Sequence, residues 1–207
     1  TDMCSSMLGQ GERVFPEAVE DLSEDELANL GRNYVEKLRN KSPQANYITD
    51  KLPNNFIFIG LIKTILPNAK VIHCKRGQID TCLSIFKNLF TGHIPFAYNL
   101  EELAEYYQLY LDIMEHWYDL FPGKIIDVQY EKLVVDHEFE IKELLNSCDL
   151  PFHEDCLNFY KTNRSVKTAS FSQVREPIYQ KSVELWKQYE SELQPLLIKM
   201  GIERSNC

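Results

Sequence analysis

The run Lys70-Val71-Ile72-His73-Cys74-Lys75-Arg76-Gly77-Gln78-Ile79-Asp80-Thr81-Cys82-Leu83-Ser84 changes character partway along. Lys70 to Cys74 reads as a strand, with two β-branched residues in sequence. Lys75-Arg76-Gly77 turns the chain, and a helix follows from about Gln78 to Phe90. Strand, short turn and helix in this order form the repeating unit of an open α/β sheet. Ligands of such sheets bind outside the carboxyl ends of the strands, which here means at Lys75-Arg76-Gly77.

Outward from this run the same alternation recurs. Ser23-Glu24-Asp25-Glu26 is a capping box. Leu27, Leu30, Tyr34 and Leu38 then mark a helix to about Arg39. Tyr47-Ile48-Thr49 reads as a short strand that ends at Asp50-Lys51-Leu52-Pro53, and Phe56 to Leu66 as a buried helix stopped by Pro67-Asn68. Downstream, Leu100, Leu103, Tyr107, Tyr110, Met114, Trp117 and Phe121 step by three and four, and Pro122-Gly123 closes that helix. Lys124 to Gln129 is a third strand, followed by a helix around Phe139 to Leu145. A final helix is expected over Tyr179 to Met200, with Gly201 as its cap. This order predicts an α/β fold: one domain over residues 1–207, with a parallel sheet covered on both faces.

Bulk properties narrow the function classes. The 207 residues are 44% hydrophobic and 26% charged, a composition suited to one sizeable core. A net charge of −9 disfavours nucleic-acid binding, because phosphate backbones select a broad basic face. A small polyanion needs only a few focused donors and stays possible. No stretch approaches the roughly 20 apolar residues of a membrane span. The six cysteines, Cys4, Cys74, Cys82, Cys148, Cys156 and Cys207, make no zinc spacing, so no metal is expected. Cys74 and Cys82 lie in apolar runs and are expected to be buried. Reduced cysteines suggest the cytoplasm.

Three loops are rich in binding groups. Arg76 at a strand tip and Ser84 in the next helix can converge on one phosphate, although such a pair taken alone is more often an exposed Arg and a solvated helix Ser. Tyr130, at the end of a strand, can present its ring to a base or simply cap the sheet. Thr168 to Pro177 is dense in hydroxyl, amide and guanidinium donors, as an anion loop or an ordinary polar loop would be. His73 reads as a packed strand residue, His93 as a loop residue, and Trp186 and Tyr189 as core.

Taken together, "VIHCKRGQIDTCLSIFKNLF", "ITDKLPNNFIFIGLI", "VQYEKLV" and "TASFSQVREPIYQKSVELWKQYE" resemble sulfotransferases that use 3′-phosphoadenosine 5′-phosphosulfate (PAPS). The similarity runs from about Gly9 to Gly201. It is strongest to bacterial sulfotransferases often fused to tetratricopeptide repeats, which are related to tyrosylprotein sulfotransferases. The resemblance implies a three-layer α/β/α, P-loop NTPase-like fold and transfer of a sulfuryl group to a hydroxyl acceptor on a peptide tyrosine, sugar or small molecule. It assigns Arg76 and Ser84 to the 3′-phosphate and Tyr130 to the adenine end. Ser170, Gln173 and Val174 fall in the loop that closes over the nucleotide. Glu12, in Gly9-Gln10-Gly11-Glu12, matches the general base; Lys51 and Ser170 match the transition-state pair.

Two departures stand beside the resemblance. The family's Pro-Arg-Ser-Gly-Thr-type phosphosulfate loop is missing from Thr1 to Leu8, so the chain is expected to be an N-terminally truncated domain, inactive alone, with repeats upstream. Leu185 stands where relatives carry Lys or Arg before the Trp matching Trp186, with Lys181 or Lys187 as substitutes. A non-catalytic, nucleotide-binding or protein-interaction relative is the alternative reading. A nucleotide kinase lacks support because GxxxxGK[ST] is missing.

Overall fold

The computed structural model describes residues 15–90, 92, 94–161 and 175–202. Two compact units divide at Ala69 and Lys70.

In the first unit, helix α1 (Glu24–Lys41) starts at the predicted capping box. The Ser23 side chain accepts from the Glu26 amide while the Glu26 carboxylate accepts from Ser23. Residues Pro53–Phe58 form a 3-10 turn that leads into α2 (Ile59–Ile65), so the expected helix from Phe56 begins as a tighter coil. Gly31 lets the two helices cross closely. A Cβ there would lie 2.0 Å from the Ile65 carbonyl oxygen, which no side chain tolerates. Tyr47 to Thr49 form no strand; exposed, they have no partner strand among the described residues of this unit to supply a ladder.

The second unit is built on β1 (Val71–Lys75) and β2 (Ile125–Gln129), paired in parallel from Val71 opposite Ile125 to Lys75 opposite Gln129. The connection between them carries α3 (Gln78–Phe86) and α4 (Leu100–Leu120). The fold is therefore mixed α/β with a small parallel sheet. Gly123 takes φ 68°, which a residue with a Cβ adopts only with strain, and it turns α4 into β2. Asn99 caps α4 by accepting from the Glu101 and Glu102 amides. The core lies where α3 and α4 meet the C-terminal segment: Cys82, Leu103 and Leu196 are fully shielded there. Burial pushes the Cys82 thiol up to about 12, so it acts as a small hydrophobe. Cys74 departs from expectation and is exposed, because alternation along β1 turns it away from α4.

After β2 the chain enters α5 (Tyr130–Val135) without a break, then α6 (His137–Ser147), capped by Asp136 accepting from the Phe139 amide. The expected helix over Tyr179 to Met200 is broken into a 3-10 turn (Leu185–Tyr189) and α7 (Gln194–Lys199). Glu184 stands at φ 55°, outside helical geometry, and Pro195 brings no amide hydrogen to the start of α7. Tertiary hydrogen bonds to residues 182–186 override the local pattern. Trp186 packs on the core as expected, whereas Tyr189 is 37% exposed, with the Lys87 ammonium 5.3 Å from its ring centroid.

Candidate functional site

The tip of β1 and the start of α5 bring Arg76 and Tyr130 together. The Arg76 guanidinium carbon lies 5.0 Å from the centroid of the Tyr130 ring, a cation–π arrangement. Its Nη2 donates to the Ser182 carbonyl at 2.6 Å. Its Nε is buried and makes no hydrogen bond among the described residues. A buried guanidinium donor left unmatched is costly, and an anionic oxygen is its natural complement. The Tyr130 ring, which the resemblance assigns to the adenine end, thus braces Arg76.

Ser84 is half-buried in the last turn of α3, on the same strand–helix unit as Arg76. Between them, the Gly77 amide donates to Glu131 Oε1 at 2.8 Å, and Gln129 Nε2 donates to the other carboxylate oxygen. Burial alone raises the Glu131 pKa. The hydrogen bonds from Gly77 and Gln129, with the Arg76 charge, outweigh it and hold the carboxyl below its usual range.

Asp80 is the buried charged residue of this region, 4% exposed. Oδ2 accepts from the Glu184 amide at 2.7 Å and Oδ1 from the Trp186 amide at 2.9 Å. Gln180 Nε2 adds a bond to the Val134 carbonyl at 3.1 Å. The segment before α7 is thus tied to Arg76 at the tip of β1 and to α3 and α5, the helices that follow the two strands. Neither Asp80 nor Glu131 was singled out from sequence. For Asp80 the signal was present: a carboxylate between Ile79 and Cys82 lies beside the apolar stripe of its helix.

Leu185 packs against the core, which accounts for an apolar residue there. Its proposed substitutes are engaged elsewhere. Lys187 pairs with Glu184 at 2.7 Å, and the Lys181 ammonium lies 4.7 Å from the centroid of the Tyr179 ring.

Lys51 belongs to the first unit, exposed and two residues before the Pro53 turn. Its neighbour Asp50 accepts from the Tyr34 hydroxyl of α1, which anchors the loop. Glu12, His93, Ser170, Gln173 and Val174 lie outside the described residues.

A second polar cluster sits mid-strand. His73 Nδ1 lies 2.7 Å from the Tyr118 hydroxyl and 3.2 Å from Asp127 Oδ1, while Nε2 lies 2.5 Å from the Tyr110 hydroxyl. Tyr118 donates to Asp127, and Lys75 reaches the same carboxylate at 3.4 Å. Burial lowers the His73 pKa, with Asp127 partly opposing it. His73 is a packed strand residue, as its sequence context indicated.

Among the described residues no group of three or more His, Cys, Asp or Glu is arranged to hold a metal ion. None of their helices is long and apolar enough to cross a membrane.

Comparison with known proteins bears on the same strand–helix unit. An uncharacterized protein of Aquifex aeolicus (strain VF5) is 39% identical over 193 residues, covering 92% of this chain and 25% of its own length. This chain therefore spans about a quarter of that relative. A profile of the Sulfotransferase family matches residues 10–154, a span that carries Lys51, β1 with Arg76, Ser84, β2 and Tyr130. With a match over more than half its length, the chain belongs to the sulfotransferase family.

Proposed function

We propose that this chain is a sulfotransferase domain that takes its sulfuryl group from PAPS and delivers it to a hydroxyl acceptor, leaving 3′-phosphoadenosine 5′-phosphate (PAP). The observation that carries this reading is the buried, unmatched Nε of Arg76 on a guanidinium already braced by Ser182 and Tyr130. A pre-oriented guanidinium with a buried, unmatched Nε donor suits a dianionic phosphate, and family membership supports the 3′-phosphate of the nucleotide as that group. Ser84 adds a hydroxyl from the following helix. Ser170, Gln173 and Val174 belong to the loop that covers the nucleotide, and Tyr130 serves its adenine end while bracing Arg76.

PAPS, when bound, supplies an SO3 group whose bond to the 5′-phosphate oxygen breaks as a bond to the acceptor oxygen forms. The protein's part is positioning and charge. The Glu12 carboxylate takes the acceptor hydroxyl proton. Lys51 faces the charge that develops on the transferred and leaving oxygens, with Ser170 donating beside it. The acceptor is a peptide tyrosine, a sugar or a small-molecule hydroxyl. The subtype is the bacterial, repeat-associated one, as a single cytoplasmic domain of three-layer P-loop-like architecture.

The test is sulfuryl transfer by the full-length protein, with labelled PAPS and a panel of hydroxyl acceptors. Label should pass to an acceptor. Lys51→Ala should lower kcat by roughly 100-fold while PAP affinity changes little. PAP binding without transfer to any acceptor would contradict catalysis and leave a nucleotide-binding domain.

A further inference from the structure

Asp80 touches no ligand in the reading above, yet it holds the segment whose Ser182 carbonyl accepts from Arg76. Asp80 lies in the first turn of α3 and is 4% exposed, yet it carries a carboxylate into the packed base of that helix. Such a group is retained at a cost unless its oxygens are matched, and both are: Oδ2 by the Glu184 amide at 2.7 Å, Oδ1 by the Trp186 amide at 2.9 Å. The segment it holds is not at its local optimum. Glu184 stands at φ 55°, a conformation a residue with a Cβ adopts reluctantly. The two amides are what this conformation presents to the carboxylate. Two residues earlier, the Ser182 carbonyl accepts from Arg76 Nη2 at 2.6 Å. Arg76 and Asp80 lie four residues apart, so one strand–helix junction grips the same five-residue segment twice. One grip uses the segment to orient a guanidinium; the other keeps the segment in place.

We propose that Asp80 is a positioning residue for nucleotide binding: by holding the Glu184 and Trp186 amides it sets the Ser182 carbonyl, and through it Arg76, with Nε turned to the 3′-phosphate. This rests on the reading of Arg76 as the 3′-phosphate group. It adds that 3′-phosphate recognition depends on a turn distant in sequence, and that the turn and the nucleotide are coupled. A carboxylate that only stabilised the fold would not distinguish a nucleotide with a 3′-phosphate from one without it.

The experiment uses the full-length protein, with PAP and AMP as probes in calorimetry. The Asp80→Asn variant keeps the shape but turns one acceptor into an NH2 group facing a backbone N–H. It should weaken PAP by about tenfold or more and leave AMP nearly unchanged, so the preference for PAP shrinks. A lower melting temperature with both nucleotides weakened equally would mean a purely structural role and would overturn the proposal. So would an unchanged preference in a folded variant. A measurement without mutation covers the case in which the variant does not fold. In the unmodified protein, saturating PAP should slow hydrogen exchange at the Glu184 and Trp186 amides, and AMP should not. Exchange unaffected by bound PAP would overturn the coupling. Failure of the underlying reading looks different: the unmodified protein would itself bind PAP and AMP equally.

Discussion

Two polar clusters sit on the same strand, one in its middle and one at its tip. At His73 both ring nitrogens face oxygens, and the Tyr118 hydroxyl and Asp127 carboxylate close the circuit. At Arg76 the circuit stays open: Nη2 and the ring face are occupied, while Nε is buried without a partner among the described residues. Polar groups buried in pairs specify a fold; a pre-oriented donor with nothing to donate to fits a ligand. His73 and Arg76 stand three positions apart, the histidine matched on both ring nitrogens and the arginine with the open donor on which the proposed phosphate contact rests. Residue type alone would have ranked them the other way, since histidine is the commoner catalytic side chain.

The comparison breaks most sharply if Arg76 can be removed without consequence. Arg76→Ala should cost PAP binding about 2–5 kcal/mol, typical of removing one partner from a desolvated charge pair. It should change stability less, because the Ser182 carbonyl loses only one donor. Equal losses in binding and stability would place Arg76 in the closed class with His73.

His73→Phe is the converse case. It removes one hydrogen-bond partner each from the Tyr110 and Tyr118 hydroxyls, and should cost about 1–3 kcal/mol in denaturant unfolding with PAP affinity preserved. The pH dependence follows from its lowered pKa, set first by burial and opposed by Asp127. The unfolded chain takes up a proton near the ordinary histidine value of 6.5 that the folded histidine refuses until lower pH. The unfolded state then binds more protons, so this contribution to stability falls as pH drops through that window. Unfolding from about pH 7.5 down to about pH 5.5 should show the decline, and His73→Phe should flatten it. A variant with the same slope would remove His73 as its source.

The smallest effect is expected at Lys187, the stand-in for the basic residue that Leu185 replaces. Its ammonium is exposed and committed to Glu184 at 2.7 Å, so Lys187→Ala should change stability by less than about 1 kcal/mol and PAP affinity hardly at all. A large loss of PAP affinity would mean that the open cluster extends to this lysine.

The strand–helix unit of β1 and α3 was legible from sequence because its period changes at a short turn. The α4 stripe was legible too: of the apolar positions read from it, Leu103, Tyr107 and Met114 are buried. Two misreadings share one cause. Tyr47 to Thr49 has strand-like residues but no strand to pair with among the described residues of its unit, and Tyr179 to Met200 has a helical pattern that Asp80 and Arg76 divert. Both outcomes depend on partners distant in sequence, which local periodicity does not carry. The same holds for the site. Arg76 and Tyr130 could be singled out one at a time, but their stacking, and the grip of Asp80 on residues 184 and 186, arise only once β1 and β2 lie side by side.

The open cluster at the tip of β1 is read most directly by calorimetric titration of the full-length protein with PAP and with AMP, which differ only in the 3′-phosphate. The account predicts that PAP binds more tightly and that Arg76→Ala abolishes the difference. Equal affinity for the two nucleotides in the unmodified protein would contradict it.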